Sequence, residues 1–243
     1  MKKIIRVKNR STIAFEDIFR KRLLSEFYRI NKRIAEQLAI DGKMPKSYKN
    51  DSVSEVLRIM EQLDSIEYEA IFMDTALDVR KKLWKPFKEK KIPVIELTAS
   101  EKRFIRSWAK SGSLAVSAEA SETKGKLYRI VSNAYEFGQS QKDTAAELAK
   151  EFSITQNKST FWARDMLGTL NGQLSVERDK ALGIKKQIWR TTGDGAVRSS
   201  HAHVDGEIFD VDKGVKIEGR WLLPGEDYNC RCYGESVFEY EEE

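Results

Sequence analysis

The chain has 243 residues, 40% hydrophobic and 33% charged, with a formal net charge of +5 and only two cysteines. That length and apolar content are enough to bury one large core or two modest ones. No run approaches the ~18 to 20 uninterrupted apolar residues of a membrane span, and the first residues lack the apolar core of a signal peptide. Two cysteines rule out a disulfide framework, so thiols or metal ligands in a reducing cytoplasm are expected.

The positive excess sits in the first hundred residues, and the remainder is slightly acidic. Two dense runs carry it: Lys2, Lys3, Arg6, Lys8 and Arg10, then Arg80, Lys81, Lys82, Lys85, Lys88, Lys90 and Lys91. Such runs read as solvated faces or flexible arms, and secondarily as contacts to DNA phosphates. No aromatic platform or nucleic-acid motif accompanies them, which argues against sequence-specific reading.

In chain order, Phe19, Leu23, Phe27, Ile30, Ile34 and Leu38 recur at steps of three and four and predict a helix that stops near Asp41-Gly42. Residues 41–50 read as a connector. Asp51 or Ser52 then caps a second helix with Met60, Leu63, Ile66, Ala70, Met73 and Leu77 on its apolar stripe, ending before Pro86. The segment Ile92 to Leu97, interrupted by Pro93, reads as a link, and Ser100 to Phe137 as helix again. Ser140 and Asp143 have capping-box spacing for a short helix, Ser153 to Asn157 a turn, and Phe161, Trp162, Met166, Leu167 and Leu170 lie on another helix.

After Gly183 the composition turns β-like. Gln187 to Thr192 predicts a strand, Asp205-Gly206 a turn before Ile208-Phe209, and Pro224-Gly225 a turn before a final strand-like stretch from Tyr228 to Phe238. The fold class is therefore α+β, divided by sequence character into a helical region, 1–98, and a mixed helix and β-hairpin region, 99–243. Trp162 and Trp189 read as core aromatics.

Both histidines and both cysteines fall in the last quarter. On a strand, positions two apart share a face, so His201 with His203 and Cys230 with Cys232 could each present paired donors. Together they would form a four-ligand set suited to Zn²⁺, the one cofactor this residue chemistry suggests, although neither spacing is a usual zinc motif. A second reading has no cofactor: Asp194, Arg198, Asp205, Asn229 and His201 form a polar cluster that fixes the loops, with Arg198 holding Asp194 or Asp205, and the cysteines are small buried apolar groups. A third is catalytic, a cysteine nucleophile or metal-bound water served by His201 and Asp194, but no local nucleophile signature supports it.

The run Trp189-Arg190-Thr191-Thr192-Gly193-Asp194 through Arg198, His201, Asp205 and Gly206, followed by Pro224-Gly225 and Asn229-Cys230-Arg231-Cys232, closely resembles the C-terminal signature of the phage Mu F-like minor head proteins. Upstream, Trp162-Ala163-Arg164-Asp165, Leu170-Asn171-Gly172-Gln173-Leu174 and Leu182-Gly183-Ile184 extend the resemblance to about residues 125–240. It implies a non-enzymatic minor head protein with no assigned catalytic residues, built into the virion at the portal vertex or capsid interior after assembly in the host cytoplasm. Its implied partners are the portal protein and the major capsid or scaffold protein, with non-specific DNA contact. The alternative kept from the residues alone is a metal-dependent or thiol hydrolase using His201, Cys230, Cys232 and Asp194. A free DNA-binding regulator is a weaker third class.

Overall fold

The computed structural model describes residues 2–7, 13–39 and 58–241. The expected connector at 41–50, the cap at Asp51 or Ser52, and Lys8 and Arg10 lie outside them. In order, the elements are strand β1 (Lys2–Val7), helix α1 (Ile13–Ala39), a helical turn at 58–61 running into a 3₁₀ turn (Gln62–Ser65), α2 (Tyr68–Leu83), α3 (Lys85–Glu89), α4 (Ala99–Glu136), α5 (Gln141–Ala181), β2 (Lys186–Arg190), α6 (Ser199–His203), β3 (Ile208–Asp210), β4 (Val215–Ile217), β5 (Arg220–Leu222) and β6 (Tyr233–Glu241). The architecture is α+β, as composition and periodicity predict.

Two compact units are built from interleaved segments: one from residues 1–19, 72–109 and 161–243, the other from 20–71 and 110–160. The sequence division at residue 98 follows a change of composition, whereas these units follow spatial contact. In the second unit Leu23, Leu24, Ile59, Met60 and Leu63 are buried, and Lys126 and Lys158 pair with Glu151 and Glu119.

The predicted second helix is not continuous. It breaks at residues 66–67 and resumes as α2, whose buried face is Tyr68, Phe72, Ala76, Val79 and Leu83. The predicted stripe was therefore out of register on this helix: Ala70 and Leu77 are exposed. Pro86 stops α2 as expected and opens α3, where its missing N–H costs nothing. Phe72 meets Phe19 edge-on at 5.0 Å and Trp108 at 5.0 Å, and the Trp108 indole N–H donates to the Met166 carbonyl.

The link at 92–98 is irregular, as predicted, and α4 begins in a capping box: Glu101 N–H donates to Thr98 Oγ1, and Thr98 N–H to the Glu101 carboxylate. Glu101 also holds Arg80 at 2.9 Å, which removes Arg80 from the exposed basic run. The Ser140 cap on Asp143 N–H is present at 3.1 Å. The turn expected at 153–157 is absent, and α5 runs unbroken for 41 residues. No Gly or Pro interrupts Ser153 to Asn157, and its residues carry only ~0.5 kcal/mol of helix penalty each, too little to break a helix that continues on both sides.

β1 was unforeseen. The first basic run is largely an edge strand, paired antiparallel to β6 from Lys2 opposite Glu241 to Val7 opposite Ser236. The sheet order is β1-β6-β2-β3, all antiparallel, and β4-β5 form a separate hairpin turning at Glu218-Gly219 with both residues at positive φ. Below the sheet, Arg178 and Asp179 of α5 are fully buried as an ion pair at 2.7 Å. Arg178 also donates to the Leu83 carbonyl and Ser236 Oγ and stacks 4.1 Å from the Phe87 ring. Asp179 accepts from Gln187 and Ser236. Every polar side-chain atom of the buried pair thus has a hydrogen-bond partner.

α5 carries Gly168 and Gly172 where the loop after β5 crosses it. A Cβ at Gly172 would sit 2.1 Å from the Pro224 carbonyl oxygen, and one at Gly168 2.3 Å from that of Cys230. Alanine in an exposed helix interior gains ~0.5 to 1 kcal/mol over glycine, as expected for Gly125→Ala in α4, whose Cβ would meet nothing within 4 Å. At Gly172 the same change drives a methyl into backbone, so Gly172→Ala is expected to lower stability by ~1 to 3 kcal/mol in urea denaturation, opposite in sign to Gly125→Ala.

Candidate functional site

The site lies in the first unit, between the end of β2 and the start of β6. Trp189 on β2 is fully buried and meets the His201 ring edge-on at 5.6 Å. Gly206 N–H donates to the Trp189 carbonyl, and Trp189 N–H to the Glu207 carbonyl, closing the segment 190–206 over that indole. Within it, α6 holds His201, 2% exposed, with its ring turned into the core.

The two cysteines arrive from the other side. The loop 224–232 is pressed on α5 at Gly168 and Gly172, Asp165 accepts the Asn229 backbone N–H, and the Tyr228 ring packs at a tilt against Phe161, centroids 4.9 Å apart. Asn229 adopts a positive φ of 54°. Asparagine tolerates this left-handed turn, which puts Cys230 and Cys232 beneath the imidazole at 3% and 4% exposure.

His201 Nδ1 is 3.4 Å from Cys230 Sγ and 3.6 Å from Cys232 Sγ, and the three donor atoms all lie within 4.8 Å of one another. On the far side of the ring, Nε2 is 3.2 Å from Asp227 Oδ2. The same carboxylate accepts from Arg198 at 3.2 Å and Arg220 at 3.1 Å. With no metal, these groups polarise one another. The Cys230 thiol is lowered to about 5, by its hydrogen bond with Cys232 and then by His201. Cys232 is pushed up by its bond to Cys230, by burial and by the neighbouring charge. His201 is raised, first by Cys230 and then, against burial, by Asp227. Burial works against the Asp227 charge, but its bonds to Arg220 and the Tyr228 backbone and the charge of Arg198 outweigh it, so its carboxyl is held low.

The structure corrects the placement of the predicted residues in several ways. The two histidines are not on a strand but on a short helix, where positions two apart diverge by ~200°. His203 is consequently exposed and stands apart from the group, so the four-ligand set is reduced to three. Arg198 binds Asp227 and the Tyr228 carbonyl and neither Asp194 nor Asp205. Asp194 instead accepts from Arg231 at 2.9 Å and from Ala196 N–H, while the exposed Asp205 takes Thr191 N–H at 2.7 Å. The Asn229 side-chain oxygen is buried without a hydrogen bond. Sequence reasoning missed Asp227, the hub of the site, as well as Asp165 and Arg231. No local pattern marks Asp227, whose partners Arg198, His201 and Arg220 lie elsewhere in the sequence.

Beside the cluster is a cavity of about 70 Å³, lined by Asp194, Arg198, His201, Asn229, Cys230 and Cys232 among others. Pockets for small-molecule ligands run ~300 to 1,000 Å³, so this one admits water or an ion and little else.

An α+β module that locks a buried His-Cys-Cys group under a loop seated on helical glycines is the class of domain these features define. Residues 126–234 match the family model described as Phage Mu protein F like protein, which confirms the resemblance for the C-terminal part of the chain. An uncharacterized protein of Haemophilus influenzae is 36% identical over 107 residues, 44% of this chain. The match spans 23% of that protein's length. No solved structure matches the chain. No helix among the described residues is long and apolar enough to cross a membrane.

Asp227 joins three elements through one carboxylate, and hydrogen bonds to charged groups contribute ~1.5 to 3 kcal/mol. Asp227→Asn, in the presence of a chelator, is expected to lower stability by about that much and to speed amide exchange across residues 224–232. Because the folded carboxyl is depressed, this advantage is whole above the unfolded value of ~3.9 and is lost as pH falls through the lower folded value. Wild-type and variant urea midpoints should therefore converge on acidification.

Proposed function

We propose that this chain is a minor head protein of a phage, a non-catalytic part built into the virion at the portal vertex or the capsid interior. The family match over residues 126–234 carries this reading. The site geometry supports a bracing role. Its sulfurs and imidazole are buried, its cavity is far too small for a polymer or peptide substrate, and its charges are spent on holding loops to one another. In this reading the protein docks on the portal and the capsid or scaffold protein. Lys81, Lys85, Lys88, Lys90 and Lys91, exposed on α2, α3 and the turn that follows, contribute non-specific contact with packaged DNA.

The competing reading is a thiol or metal-dependent hydrolase. It gains the order Asp227, His201, Cys230, with Asp227 in the orienting role first given to Asp194. A nucleophile must nonetheless reach its substrate, and both thiols here are covered.

Quantitative mass spectrometry of purified particles is expected to find the chain in a few copies each, and its deletion to reduce the yield of filled heads. Particles of normal infectivity that lack the chain would overturn the assembly role. For DNA contact, the log of duplex affinity is expected to fall linearly with log salt, without sequence preference, and changing Lys81, Lys85 and Lys88 together to Glu should flatten that slope by ~2 to 3.

A further inference from the structure

The geometry points to a metal-binding centre for a single Zn²⁺, with His201 Nδ1, Cys230 Sγ and Cys232 Sγ as its protein ligands and Asp227 as the carboxylate that orients the histidine. This goes beyond the assembly reading and does not depend on it.

Four independent features converge. First, the donor set is one nitrogen and two sulfurs, the types Zn²⁺ accepts in tetrahedral sites. Second, the spacing fits. With Zn–S ~2.3 Å and Zn–N ~2.0 to 2.1 Å, a tetrahedron places sulfur and nitrogen ligands ~3.6 Å apart; the observed Nδ1 to Sγ distances are 3.4 and 3.6 Å. A neutral S–H to imidazole hydrogen bond can account for one such contact, but a single ring lone pair facing two sulfurs at nearly equal distance is better accounted for by an ion between them. Third, the outer partner is in place. Asp227 Oδ2 at 3.2 Å from Nε2 accepts the Nε2 proton, and that tautomer leaves the lone pair of Nδ1 facing the cysteines. A carboxylate on the non-ligating nitrogen is the usual second partner of a metal-bound histidine. Fourth, there is a place for the remaining ligand. The cavity of about 70 Å³ touches all three donor residues and Asn229. The buried Asn229 side-chain oxygen has no hydrogen-bond partner, so it can hold a coordinated water. Burial of the three donors behind Trp189 and α5 keeps the centre within the fold, in keeping with a brace between loop 224–232 and α6.

The test uses the full chain, purified from zinc-supplemented medium without chelator. Elemental analysis is expected to give about one zinc per chain, consistent with one tetrahedral site. Adding Co²⁺ to protein stripped of metal should produce thiolate-to-cobalt charge-transfer absorption together with the intense visible bands of a tetrahedral ion. Cys230→Ser and Cys232→Ser should each abolish the charge-transfer band or cut it by half, and His203→Ala should leave it unchanged. Asp227→Asn should weaken zinc affinity ~10- to 100-fold while preserving the cobalt spectrum. Because ligand variants can simply fail to fold, the cobalt titration of the unsubstituted protein is decisive. Zinc-free protein that gives no thiolate-to-cobalt absorption overturns the proposal, and so does a His203→Ala variant that loses metal as completely as Cys230→Ser.

Discussion

Where the loop after β5 crosses α5, main chain rests on main chain. The carbonyl oxygens of Pro224 and Cys230 occupy the space that side chains would fill at Gly172 and Gly168, and Gly225 is held as closely against the Gly168 carbonyl. A helix that offered even a methyl group there would hold the loop off, and the loop is what delivers Asp227, Asn229 and both cysteines. The constraint is steric and local, yet it fixes the depth at which the sulfurs meet His201. Cavities and clashes in a close-packed interior do not relax freely, so the position of the loop is inherited from the rigidity of a 41-residue helix.

A second buried arrangement serves the sheet as the first serves the site. Arg178 and Asp179 sit at the C-terminal end of the same helix and reach α2, β2 and β6. Gly234 on β6 leaves room for the Gln187 side chain to cross the strand toward Asp179. One helix therefore carries, about two to three turns apart, the seat of the loop and the polar anchor of the sheet. Everything between β2 and β6, including α6 and the hairpin β4-β5, is strung between these two fixed points.

The elements with the strongest local signals were readable from the residues. The α+β class, the helix between Ala99 and Glu136, the Ser140 cap, the stop at Pro86 and the β-rich end all follow from periodicity and turn chemistry. The convergence of His201 with Cys230 and Cys232 was also anticipated, though from a mistaken premise. The histidines lie on one helical turn, so the inference that paired positions share a face failed for His203 while holding in effect for the cysteines, which lie in an irregular loop. What was not legible depends on partners far away in sequence. Lys2 to Val7 looks like a basic arm until β6 is available to pair with it. Arg178 and Asp179 look like solvated charges of a long helix until Leu83, Gln187 and Ser236 surround them. Asp227 carries no local mark of its role until Arg198 and Arg220 close on it.

The pairing of β1 with β6 has a temporal side. Residues 2–7 leave the ribosome first among the described strands and 236–241 last. The early segment cannot find its neighbour until β6 has been translated, and closing so large a loop is slow. During elongation the helices have time to form while β1 waits as an unpaired, lysine-bearing edge, a composition that discourages pairing with the wrong chain. Completion of the sheet thus has to follow the synthesis of β6.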